Sequence, residues 1–217
     1  MKEKYYAQDI SQIEKELHTS LDNGLSDDEA KKRLASEGPN SLASKKKRSM
    51  FMRFIDQFKD FMIIVLIVAA VLSGVVANEW TDAAIIMIVV LLNAILGVIQ
   101  EARSEAAIDA LKEMSTPNAH VRRGGAILEI PSTDIVPGDV VLLEAGDVVP
   151  ADMRLAKTAS LKVEESALTG ESVPVEKDSD ILKADDVALG DRINMAYANT
   201  NVTYGRAEGI VVGTGMK

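Results

Sequence analysis

"FMIIVLIVAAVLSGVVANEWTDAAIIMIVVLLNAILGVI", residues 61–99, contains two uncharged apolar runs, 61–77 and 83–99. Each run is 17 residues long. At 1.5 Å per residue that is roughly 26 Å, close to the ~30 Å hydrocarbon core of a bilayer. The competing reading is a helix pair buried in a soluble core, but soluble helices are rarely apolar on every face. Only Asn78, Glu79, Trp80, Thr81 and Asp82 separate the runs, so the pair must be an antiparallel hairpin. A cleaved leader does not fit, because the first run starts only at residue 61, after a long polar stretch. Lys45, Lys46, Lys47, Arg48 and Arg53 precede that run, and by the positive-inside rule they mark the cytosolic side. Trp80 suits the opposite interface. The N-terminal segment and everything after residue 99 are then expected to be cytosolic.

Composition sets the remaining bounds. With 217 residues, one or two domains with a real core are possible. The net charge of -9 argues against a nucleic-acid partner. The absence of cysteine excludes disulfides and thiolate metal sites. His18 and His120 are the only histidines, too few for a histidine zinc site.

Two short helices are expected at the N-terminus. Asp9 with Gln12, and Ser26 with Glu29, have capping-box spacing. Asn23-Gly24 and Gly38-Pro39 are the expected stops. Leu17, Leu21, Leu25, Ala30 and Leu34 would pack the pair together or dock it on a larger domain. Residues 45–60 interleave basic side chains with Met50, Phe51, Met52, Phe54, Ile55 and Phe58, which suits a helix lying in the membrane interface. The second apolar run continues without a breaker to Pro117, so a helix from about Ala83 to Met114 would extend as a stalk. Glu101, Glu105 and Asp109 would form a solvated ladder of like charge on it. From Ala119 the period becomes that of strands. Gly124-Gly125 signals a hairpin, and Pro137-Gly138, Gly146-Asp147 and Pro150 mark turns. Short strands at close spacing predict a β-sandwich or distorted jelly roll.

"ALTGES", residues 167–172, interrupts this β region. On its letters alone, Thr169 and Ser172 cap turns, Gly170 gives a permissive backbone and Glu171 is solvated. The sharper reading presents Glu171 at a loop tip, where a carboxylate can orient and deprotonate water. No phosphate cradle of the GxxxxGK[ST] kind accompanies it. The acid pairs Glu164-Glu165 and Asp185-Asp186 read as solvated faces. A substrate for Glu171 would have to be brought by another domain.

The order of these features resembles the N-terminal part of a P-type cation-transporting ATPase. "GLSDDEAKKRLASEGPNSL" is similar to that family's N-terminal segment, and "NAILGVIQEARSEAAIDALKEM" to its second membrane helix and stalk. "DIVPGDVVLLEAGDVVPAD" and "ALTGES" are similar to its actuator domain. The resemblance implies an α+β membrane protein with a transmembrane helical hairpin, a long stalk helix, and a cytosolic distorted jelly-roll domain with a docked helical pair. The implied divisions are 1–44 for the helical part of the actuator, 45–60 for the interfacial segment and 61–99 for the hairpin. Residues 100–116 form the stalk and 117–217 the actuator β-domain.

The resemblance further implies that the TGES glutamate, matched by Glu171, positions water to hydrolyse an aspartyl phosphate, with Thr169, Gly170 and Ser172 shaping its loop. The phosphorylated aspartate of the family's DKTGT motif does not occur here, nor does a nucleotide-binding segment. ATP, Mg2+ and the ligands of the transported Ca2+ would therefore be held outside this chain, which alone is expected to be inactive. The implied partners are the lipid bilayer and the phosphorylation, nucleotide-binding and remaining membrane parts of the same pump. The wording is closest to calcium pumps of the sarcoplasmic-reticulum and secretory-pathway kind. A sodium/potassium- or manganese-type pump, and a non-enzymatic membrane-tethered regulatory module, are the alternatives. Where animal calcium pumps often read Gln-Phe-Glu-Asp, this chain has Gln57-Phe58-Lys59-Asp60. Lys59 and Asp60, with Asp82, are candidates for an ion entrance. A bacterial plasma membrane is the expected location.

Overall fold

The computed structural model describes residues 4–41, 49–114, 117–182 and 186–215. Lys45, Lys46, Lys47, Arg48 and Asp185 lie outside the described residues. The chain divides into two compact units, residues 1–44 with 116–217, and residues 45–115.

The first unit is built on a seven-stranded antiparallel sheet. Its strands are β1 Asn118–Arg123, β2 Ala126–Pro131, β3 Val140–Glu144, β4 Asp152–Glu164, β5 Val175–Glu176, β6 Met195–Ala196 and β7 Asn201–Gly213. They run in the order β2-β1-β3-β7-β4-β5, with β6 paired to β4. Gly124 and Gly125 both take positive φ and form the two-residue turn between β1 and β2, as the sequence predicts. One expectation changes. The strands are not uniformly short, since β4 and β7 each run 13 residues. Hydrogen bonding joins all seven strands in one sheet. The long strands bend at repeated register shifts, including those between Leu155 and Lys157 and between Ala159 and Lys162. Gly205 makes one such bend possible. Its φ is +80°, and a Cβ there would lie 2.3 Å from the Ser160 carbonyl oxygen. Alternation then sorts side chains by face. Val141 and Leu143 join Leu155, Leu161, Val163 and Val202 in the main core. Val140 and Ile210 face the other way, against Ile13.

The N-terminal helices cover that second face. Helix α1, Ile10–Glu16, opens with the predicted capping box of Asp9 and Gln12. It stops well before Gly24. His18 adopts φ 47°, and the Thr19 N–H reaches the Glu14 carbonyl at 2.9 Å while the His18 N–H turns to Lys15. That is a Schellman closure with histidine in the left-handed position. Gly24 is needed elsewhere, because a Cβ on it would meet the Arg122 carbonyl oxygen at 1.8 Å. Helix α2, Asp27–Glu37, ends as predicted at Gly38, with φ 83°. Ser26 Oγ accepts from the Glu29 N–H, but the Glu29 carboxylate turns to Arg33 Nε at 2.8 Å, so only half of the expected box forms. Both helices pack on the sheet unit: Leu17 and Leu21 join Ile13, while Leu25, Ala30 and Leu34 pack with Val136.

The second unit is helical: α3 Met50–Gln57, α4 Phe61–Val71 extended by a π turn Leu72–Val76, and α5 Trp80–Met114. Helix α5 starts three residues before the expected Ala83 and runs unbroken for 35 residues. Ile63, Ala70 and Gly74 are buried on one side of the pair, and Ala83, Val90, Ala94 and Val98 on the other. Small residues at these positions let two helices approach closely. The outer faces are apolar and exposed, Phe61 at 77% and Trp80 at 65%. Residues 80–111 of α5 are long and apolar enough to cross a membrane, with only 22% of the apolar window buried. Helix α3 and the α4 segment qualify as a second span only if counted together across a 66° bend. The acidic ladder of α5 is not simply solvated. Buried Arg53 of α3 pairs with Glu105, and Gln57 Nε2 lies 3.5 Å from Glu101. A short helix folded back along a longer one supplies partners that spacing along α5 alone did not reveal.

Candidate functional site

The loop carrying Glu171 is the connection of a β-hairpin. β4 and β5 pair through Val163 with Val175 and Lys162 with Glu176, and the Lys177 N–H continues the ladder to the Leu161 carbonyl at 2.9 Å. Between them stands α6, Ser166–Thr169, a single helical turn. The Glu165 carbonyl accepts from the N–H groups of Leu168 and Thr169 at 2.8 and 3.0 Å, and from Thr169 Oγ1 at 3.1 Å. Thr169 Oγ1 in turn accepts from the Glu171 N–H at 3.2 Å. Gly170 takes φ 79°, the left-handed conformation that ends the turn at little steric cost. Thr169 and Gly170 therefore fix the backbone that presents Glu171.

The tip itself faces solvent. Thr169, Gly170, Glu171 and Ser172 are all exposed. Among the described residues the Glu171 carboxylate has no hydrogen bond or ion pair. Leu168, Val173 and Leu189 are exposed apolar neighbours in sequence or loop contact, Val173 at 74%. Gly190 abuts Thr169, since a Cβ on it would lie 2.7 Å from the threonine methyl. The arrangement is a carboxylate on a fixed backbone, able to hold or deprotonate water for a group docked against it.

Beneath the tip lies a feature that the sequence reading assigned wrongly. Glu165 is buried, at 1% exposure, and its Oε1 sits 2.6 Å from Nζ of Lys177, also buried. Only Glu164 of that acid pair is partly exposed, accepting from Ser166 Oγ at 3.0 Å. The missed signal was strand alternation: Leu161, Val163 and Glu165 fall on one face, and Lys177 follows Val175 by two. Burial lowers the Lys177 pKa from its ordinary value, and closeness to Glu165 opposes that shift.

The three candidates for an ion entrance do not come together. Asp60 caps α4, accepting from the Met62 N–H at 2.8 Å, and Lys59 pairs with Asp56 at 2.6 Å. Asp82 is exposed in the first turn of α5, beyond the far end of α4 and its π turn. Among the described residues no three carboxylates or imidazoles group as metal ligands.

Residues 113–217 match the family described as P-type ATPase actuator domain. Residues 5–73 match the family described as cation transporter/ATPase, N-terminus. The chain is 49% identical over 98% of its length to calcium-transporting ATPase 1 of Bacillus cereus, and 47% identical over 98% to the calcium-transporting ATPase of Bacillus subtilis. It is also 42% identical over 98% to a sodium/potassium exporting P-type ATPase of Schizosaccharomyces pombe. It spans 24%, 24% and 20% of these relatives, respectively.

Proposed function

Because this chain belongs to the P-type cation-transporting ATPases and carries their N-terminal and actuator regions, we propose that Glu171 orients the water that hydrolyses an aspartyl phosphate presented by the rest of the pump. The observation that carries this reading is the state of the tip. Glu171 has no partner of its own among the described residues, while Thr169 and Gly170 fix the backbone beneath it. A carboxylate used only for solubility does not need that scaffold. The attacking water loses its proton to, or is aligned by, Glu171 as the phosphorus–oxygen bond to the aspartate breaks. Ser172 and the exposed Val173 form the rim that meets the docked domain. Because the carboxylate and the phosphate lie on different domains, hydrolysis waits on their approach, which lets it be coupled to transport.

Residues 61–99 form the transmembrane hairpin in this reading, 45–60 the interfacial segment and 100–116 the stalk. Support comes from the exposed apolar faces of α4 and α5 and from the small residues between them. The actuator side is cytosolic and the membrane is a bacterial plasma membrane, supported by the two Bacillus relatives. ATP and Mg2+ act on segments outside these residues. Ca2+ is the transported ion, with Lys59 and Asp60 beside its cytosolic entrance and Asp82 no part of it. The relative named as a sodium/potassium exporter supports a second reading in which the ion is monovalent. Calcium- against sodium- or potassium-stimulated ATP hydrolysis by the intact pump separates the two.

The test of Glu171 is Glu171→Gln in the intact pump. The phosphoenzyme is expected to form at the parent level and to hydrolyse about 10²–10⁴-fold more slowly, the usual contribution of a positioned acid–base group. Hydrolysis at the parent rate would remove the role.

A further inference from the structure

The proposed mechanism makes no use of the ion pair buried under the loop. Glu165 and Lys177 flank the segment that carries Glu171, one before α6 and the other after β5. Their side chains are 1% and 0% exposed, and the charged atoms lie 2.6 Å apart. Both carboxylate oxygens of Glu165 and Nζ of Lys177 are buried, and apart from this ion pair they have no hydrogen-bond partner among the described residues. This pair is therefore supported by little besides its own attraction. A buried pair of that kind contributes little net stability, because desolvation offsets the Coulomb gain. The core around it, with Leu161 and Val163 fully buried and the β4–β5 ladder intact, does not need a charge to hold together.

Its position suggests another use. The Glu165 carbonyl receives the N–H groups of Leu168 and Thr169 and the Thr169 hydroxyl, and that hydroxyl receives the Glu171 N–H. Two hydrogen-bonded steps thus lead from the Glu165 main chain to Glu171. A shift of Glu165 moves the acceptor of the Leu168 and Thr169 N–H groups and of the Thr169 hydroxyl, while the Gly170 N–H bonds to the Ser166 carbonyl at 2.9 Å. Lys177 holds the Glu165 side chain from the other end of the same loop. We propose that Glu165 and Lys177 are positioning residues, a buried ion pair that closes the Glu171 loop and sets where its carboxylate stands during phosphoenzyme hydrolysis. This inference rests on the reading of Glu171 given above.

The test uses the intact pump and follows phosphoenzyme formation and hydrolysis separately. Single variants Glu165→Gln and Lys177→Met each leave an unpaired buried group and are expected to lose stability. The double variant Glu165→Gln/Lys177→Met removes both charges. It is expected to melt near the parent temperature and form phosphoenzyme at the parent level, yet hydrolyse it about 10- to 100-fold more slowly, as a displaced catalytic group does. Parent-like hydrolysis in the double variant overturns the inference. Parallel loss of phosphoenzyme formation and hydrolysis also overturns it, assigning the pair to folding. Glu171→Gln is measured alongside. Normal hydrolysis there removes the reading of the loop and this inference with it. Slow hydrolysis there with normal hydrolysis in the double variant removes the inference alone.

Discussion

Asp139 shows how one residue gives the Val136-Pro137-Gly138-Asp139 string its meaning. It has no exposed surface, and its carboxylate accepts from Arg123 Nε at 2.8 Å, Arg123 Nη2 at 2.6 Å and the Val136 N–H at 2.9 Å. The carboxylate therefore closes its own turn and ties it to β1. Gly138 sits at φ +94°, where a Cβ would meet Arg33 Nη1 at 2.4 Å, so glycine admits the α2 arginine that bonds the Pro137 carbonyl. Asp139→Ala leaves the Arg123 guanidinium largely buried without its partner. Its urea midpoint should fall by the equivalent of about 3–5 kcal/mol, the usual result of breaking a buried pair. A sequence reader sees a turn at Pro137-Gly138 but not the arginine it admits, because Arg33 is more than a hundred positions away. Glu165 was missed for a different reason: its partner Lys177 is close in sequence, but the alternation that turns both side chains inward shows only once β4 and β5 pair.

Among elements, β4 and β7 dominate the first unit, and their pairing sets its shape. Gly205 lets the two backbones touch at the Ser160 bend. Gly205→Ala should lower the thermal midpoint, costing at least about 1–3 kcal/mol for the left-handed strain alone. Across β1, β7 and β4, Glu208 takes hydrogen bonds from Arg122 at 3.0 and 3.1 Å and from Lys157 at 3.3 Å. Arg122 is the main reason that the Glu208 carboxyl titrates below its ordinary value of 4.5. A folded-state value below the unfolded one means stability that is present above about 4.5 and lost as pH falls through the lowered value. Urea titrations of the parent and Glu208→Gln should therefore differ at neutral pH and converge on acidification. Elements set by local signals were legible: the α1 capping box, the Gly38 stop, the Gly124-Gly125 turn and the unbroken α5. The lengths of β4 and β7 were not, because pairs such as Arg154 with Ile210 join residues far apart in the chain.

For the whole molecule, the testable claim is topology. The chain has no cysteine, so an introduced one is unique within it. In the intact pump, Ser41→Cys should react with an impermeant maleimide from the cytosolic side and Asn78→Cys, at the α4–α5 link, from the opposite side. Labelling of both from one face would remove the hairpin. By itself the sequence determined the two apolar runs, the helical and β regions, and the TGES string. These follow from composition and periodicity within short windows, where the physics is local. Only the tertiary structure decided that seven strands form one bent sheet, that α3 neutralises part of the α5 acid ladder, and that Glu165 and Lys177 meet beneath the Glu171 loop. Those outcomes depend on desolvation and on which segments approach closely, which composition and periodicity within a short window do not express.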